Sequence, residues 1–156
     1  MNVLLSTFGV GVLSALVPFV NLEAYLAGVA VMIGIHGLWA LPMTAATGQV
    51  VGKVAWYEAG RSSVRVGRVR RTLESPRWGR MIARLHATMG RRGWTGVVIL
   101  AVSAVLGIPP LAIVAVLVGQ SKFPRPLFVA ILLAGRTLRF AVLLYGVSLL
   151  KPLLGG

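Results

Sequence analysis

The sequence predicts an all-α integral membrane protein. It is expected to hold two inverted repeats, each a broken or re-entrant helical hairpin plus a transmembrane helix, joined by a basic cytoplasmic amphipathic helix. Three observations carry this. The 156-residue chain is 57% hydrophobic and 12% charged, about half the charged share of a soluble domain, and its mean hydropathy is +0.86. Its apolar residues gather in two blocks, 3–59 and 94–150, each far longer than the roughly 20 residues one helical crossing needs. The two blocks also carry the same interruption: Pro18 precedes Gly28, and Pro109 precedes Gly119, by the same ten positions. The chain therefore reads as one membrane domain, 1–156, divided into a first repeat (1–60), a basic loop (61–92) and a second repeat (93–150).

The first block opens with an apolar helix over 3–16, too short at 1.5 Å per residue to cross a hydrocarbon core of about 30 Å. No Lys or Arg precedes it, so the N-terminus is expected to be retained rather than cleaved as a signal. Pro18 removes a backbone donor and disfavours helix at the residue before it. Asn21 can cap a second short helix that starts at Glu23. Two short helices meeting at a polar break suggest a re-entrant hairpin, with two full crossings as the alternative. Residues 36–42 read as a connector with Trp39 at a membrane interface. The crossing at 43–59 contains Gly48 and Gly52, a GxxxG spacing that lets helices approach closely. It also contains Lys53 and, near its end, Glu58, which stands at helical spacing from Arg61.

The middle of the chain is basic. Net charge is +13, and ten of the sixteen Lys and Arg residues lie in 61–92 against a single acid, Glu74. In a chain this apolar, that marks a cytoplasmic loop and a contact with anionic lipid; nucleic acid is not an expected partner, because no aromatic-studded basic fold accompanies the arginines. Ser75 and Pro76 read as the start of a helix on which Trp78, Met81, Ile82, Leu85 and Met89 share one face. Arg77, Arg80 and Arg84 lie on others, so the helix, with Trp78, is expected to rest on the lipid surface. In the second block, Pro109 and Pro110 interrupt the apolar run between 94–108 and 111–120, and 121–126 forms a polar turn. The last crossing, 127–150, places Arg136 and Arg139 on one face. Each block makes an odd number of crossings under either reading, so both termini are expected outside and the basic loop inside. Reporters active only in the cytoplasm should be silent when fused to either terminus; activity there would overturn this topology.

Glu23, Arg136, Arg139 and Lys53 are the candidate substrate- or proton-binding residues. A charge at depth in a bilayer costs about 3 kcal/mol on insertion scales, so each must be paired, neutralised or facing water. A guanidinium can hold a phosphate through two parallel hydrogen bonds. The competing readings are an interfacial, solvated Glu23, a structural bridge from Glu23 to one arginine, and a snorkelling Lys53. Pro18, Asn21, Pro109 and Pro110 are the helix breaks. His36 and His86 stand apart from any thiol or carboxylate cluster, so neither a metal site nor a cofactor is expected. No cysteine is present, and no nucleophile–base pair or phosphate loop is visible, so an enzyme is not expected. Tyr25, Tyr57 and Tyr145 read as packing or interface residues.

The stretches containing Pro18, Glu23 and Gly28, then Gly48, Gly60 and Arg61, then Gly107 to Pro110 with Gly119 and Gln120, then Phe128, Gly135, Arg136, Arg139 and Gly146, occur in an order that resembles the DedA superfamily, also called the VTT or SNARE-associated domain. The resemblance implies two re-entrant hairpins in inverted repeats and the movement of lipids between leaflets. It implies polyprenyl-phosphate carriers as substrate in bacteria and phospholipids in eukaryotic relatives. By position, Glu23 matches the family's acidic residue in the first re-entrant loop and Arg136 its arginine in the last helix. The chain departs from the family in three ways: no arginine stands beside Pro109, no aspartate occurs anywhere, and no extra flanking helix is present. The second acid of proton-coupled members is thus missing.

The expected function is that of a membrane lipid translocase, flippase- or scramblase-like, in a multi-pass protein of the cell membrane. Its partners would be the anionic headgroups of membrane lipids, with self-association left open. A non-transporting scaffold or partner subunit, and an ion-coupled small-solute transporter, are the alternatives. The scaffold requires Glu23 and Arg136 to point apart; both transporters require polar groups that converge.

Overall fold

A computed structural model describes residues 2–17, 20–33, 39–62, 79–80, 83–84, 87–88 and 93–154. Six helices are defined among them: α1 (Asn2–Leu16), α2 (Leu22–Ile33), α3 (Ala40–Arg61), α4 (Gly93–Leu106), α5 (Leu111–Gln120) and α6 (Arg125–Leu154). The all-α expectation holds. Pro18, Arg77, Trp78 and most of the expected surface helix lie outside the described residues. Arg80 and Arg84 are in helical backbone and exposed.

Among the described residues, one helix is long and apolar enough to cross a membrane, over Arg125–Val147 with a mean hydropathy of 2.0. The other apolar helices have 10 to 15 residues, so they reach only about 15 to 23 Å. Two helix starts move back by more than one residue from the sequence reading. α3 begins at Ala40, inside the expected connector, and α6 begins at Arg125, inside the expected turn. In both, a proline (Pro42, Pro126) sits in the first turn, where its missing N–H removes no intrahelical hydrogen bond.

The described chain forms two compact units, Met1–Gly52 with Leu132–Gly156, and Lys53–Ile131; α3 and α6 contribute residues to both. In the first unit α1 packs on α3 backbone to backbone. A Cβ on Gly48 would run into the Phe8 carbonyl oxygen, and one on Gly52 would stand 2.5 Å from the Ala15 Cβ. The GxxxG spacing thus finds its partner within this chain. Lipid tails are as apolar as leucine, so helices in a bilayer gain from close packing and interhelical hydrogen bonds rather than from hydrophobic burial. One such bond runs from Gln49 Nε2 to Ser14 Oγ at 2.9 Å and is worth about 0.6 kcal/mol. Leu22, Leu26 and Ala30 of α2 form a cluster with Leu41, Ala45 and Ala46 of α3 and with Phe140 and Leu144 of α6. Their spacing of four residues is that of a helix face.

In the second unit α4 and α5 meet at a break over 107–110. Gly107 has φ 80°, a conformation open to glycine at little cost, and Ser103 Oγ donates to the Pro109 carbonyl at 2.5 Å. Pro109 and Pro110 therefore interrupt the helix as the sequence predicts. Of the ten residues of α5, eight are buried, which makes it the unit's inner helix. α5 packs tightly on the end of α3: a Cβ on Gly60 would meet the Val116 carbonyl, and one on Gly119 the Tyr57 carbonyl.

Candidate functional site

Glu23, Arg136 and Arg139 of the first unit converge. Asn21 caps α2, its Oδ1 accepting from the backbone N–H groups of Glu23 at 3.1 Å and Ala24 at 3.2 Å. Such caps satisfy helix donors that have no intrahelical partner. Capping places Glu23 in the first turn of α2, where the helix dipole favours a carboxylate. Arg139 of α6 reaches it: Nε donates to Glu23 Oε1 at 2.7 Å, and Nη2 contacts the same oxygen. The pair joins residues 116 positions apart in the chain.

Arg136 lies one helical turn before Arg139 and is buried, with 9% of its surface exposed. The charges of Arg139 and Glu23 both act on it. Its Nε is buried and meets no hydrogen-bond partner among the described residues. Two guanidiniums and one carboxylate give these three side chains one net positive charge, and Arg136 Nε finds no acceptor among the described residues. A buried polar group in that state is costly. The cluster is suited to accept one monoanionic oxygen group, such as a phosphate.

Lys53 belongs to the second unit and is 8% exposed, so it is buried rather than placed at the surface as a snorkelling side chain would be. Glu58 does not take Arg61, the partner its helical spacing suggested. Its Oε1 pairs with Arg125 Nη2 at 2.5 Å, while Arg61 Nη1 donates to the Tyr57 hydroxyl at 2.9 Å. The Tyr57 hydroxyl in turn donates to the Phe123 carbonyl at 2.5 Å, and its ring stacks on Phe128 with centroids 4.7 Å apart. Tyr57 is thus a hub that the sequence reading took for simple packing. The available signal was its place between Lys53 and Arg61 on one helix, which does not by itself name a distant carbonyl as partner. Among the described residues no cluster of His, Cys, Asp or Glu could hold a metal ion.

Short apolar helices, a helix break at Pro109 and Pro110, and one helix long and apolar enough to cross a membrane fit a helical membrane protein. The family model for the VTT domain matches residues 6–149, and the chain belongs to that family, the DedA superfamily. This is a family of membrane proteins linked to lipid and solute transport, and in general not of enzymes. No match to the chain is found among curated proteins or among solved structures.

Proposed function

We propose that the protein carries an anionic lipid between the leaflets of the cell membrane, as a multi-pass translocase of the flippase or scramblase type. The observation that carries this is Arg136, buried beside the Glu23–Arg139 pair with an unsatisfied Nε. An anionic headgroup supplies both the missing acceptor and the missing negative charge. Glu23 holds Arg139 in place beside Arg136.

The re-entrant reading has support within each unit. Phe8, Gly11 and Ala15 of α1 lie along Gly48 and Gly52 of α3 in the same chain order, so α1 and α3 run in the same sense. Tyr25, a few residues past the first break, already shares a 2.8 Å hydrogen bond with Ser6 near the start of α1. The chain has therefore turned back toward the side from which α1 began. In the second unit the segment after α5 returns to the end of α3, through Phe123 on Tyr57 and Arg125 on Glu58. The basic loop leaves from that same end of α3, so the α4–α5 pair would enter and leave on the cytoplasmic side.

Proteoliposomes carrying a fluorescent anionic phospholipid, a neutral phospholipid or a polyprenyl phosphate test this, with and without a pH gradient. Wild-type protein should move the anionic lipids. Arg136→Ala should slow them by roughly tenfold or more, the weight of a charge-assisted hydrogen bond. Arg136→Lys should recover only part of the rate, because it lacks the planar fork. No transfer by folded wild-type protein, or wild-type rates in Arg136→Ala, would overturn the proposal.

A further inference from the structure

A second cationic cluster, sharing no residue with Glu23, Arg136 and Arg139, lies in the second unit. Tyr57 is fully buried, and its hydroxyl links Arg61 to the Phe123 carbonyl. Phe123 follows Lys122, and two residues later Arg125 pairs with Glu58, the neighbour of Tyr57. Short paths through Tyr57, Phe123 and Glu58 therefore tie Arg61, Lys122 and Arg125 to one another. The turn that carries Lys122 is fixed over the end of α5: the N–H of Lys122 donates to the Gly119 carbonyl at 3.0 Å and that of Phe123 to the Val118 carbonyl at 3.2 Å, with Lys122 itself at φ 53°. All three cations are exposed, against one carboxylate. Three cations against the one carboxylate of Glu58 leave this end of α3 with a net positive charge. Leu127, in the first turn of α6, is 42% exposed, so apolar surface continues directly from the cations.

We propose that Arg61, Lys122 and Arg125 form a binding site for the phosphate of an anionic membrane lipid, whose acyl chains run along the exposed apolar face of α6 from Leu127. The continuity of charge with apolar surface distinguishes a lipid from a free phosphate ion, which would use the cations alone. The site does not depend on transport: it would hold a lipid whether or not the Arg136 cluster moves one. It is the surface by which this unit would sit against an anionic leaflet.

The test is native mass spectrometry of the full chain in detergent, titrated with phosphatidylglycerol, phosphatidylcholine or inorganic phosphate. The wild type should retain phosphatidylglycerol in preference to phosphatidylcholine. Arg61→Gln with Lys122→Gln should weaken that retention roughly tenfold, as expected for two cations near an anionic headgroup. Because Arg61 also bonds Tyr57, Lys122→Glu serves as the second variant. Lys122 is exposed, so this change should leave thermal unfolding where it was and still weaken retention. Arg136→Ala should keep the preference. The proposal is overturned by equal retention of the two lipids, by wild-type retention in Lys122→Glu, by loss of the preference in Arg136→Ala, or by inorganic phosphate displacing the lipid.

Discussion

Glu23→Gln is expected to destabilise the protein more than Arg139→Gln does, although the two residues form one ion pair. Removing the carboxylate leaves the guanidiniums of Arg136 and Arg139 a helical turn apart with no counter-charge between them, and like charges at that spacing repel. Removing Arg139 instead leaves Glu23 with Arg136, on which its charge already acts. An uncompensated charge at depth costs about 3 kcal/mol, which sets the expected scale for Glu23→Gln; Arg139→Gln should cost about half of that or less. The double variant should be more stable than Glu23→Gln alone, since it removes one of the two facing cations. Thermal unfolding of the three variants in one detergent measures this order. Equal losses in the two single variants, or a double variant that is the sum of both, would show that the cluster is not electrostatically coupled.

The elements most readable in the sequence were those fixed by local chemistry. Prolines at 18, 109 and 110 dictate breaks because a helix cannot supply the missing donors there, and the structure interrupts its helices at 107–110 and beyond Leu16. Asn21 as a cap follows from side-chain reach alone. The pairing of Glu23 with an arginine of the last helix was legible for a different reason: a charge in an apolar block must find an opposite one, and few are available. Which arginine takes it was not legible. Arg136 and Arg139 share a face, and only the rotation of α6 decides that Arg139 meets the carboxylate while Arg136 is buried behind it. The partners of Tyr57, Glu58 and Arg61 were hidden in the same way. Glu58 and Arg61 have the spacing of a helical pair, but Arg125 and Tyr57 offer each a partner fixed by tertiary packing. Local spacing proposes partners; the packing of distant segments chooses among them.

A loss of stability on a similar scale is expected from a methyl group. Gly119→Ala places a Cβ against the Tyr57 carbonyl oxygen, and Gly48→Ala places one against that of Phe8. In each case the obstacle is backbone, which cannot rotate aside as a side chain can. α5 would have to move off α3, or α1 off α3, and overpacking of this kind costs about 1 to 3 kcal/mol and sometimes more. Displacing α5 also displaces the turn that Tyr57 holds through Phe123, so Gly119→Ala should be the worse of the two. Gly9, Gly28 and Gly146 supply the comparison, because a Cβ on any of them meets nothing within 4 Å. Alanine at Gly9 or Gly28, within α1 and α2, should be neutral or stabilising by up to about 1 kcal/mol, the difference in helix propensity. Thermal unfolding of the four single variants under one condition separates the two classes. Folded Gly119→Ala and Gly48→Ala proteins that melt with Gly9→Ala would show that the helices do not pack at the backbone distance described here.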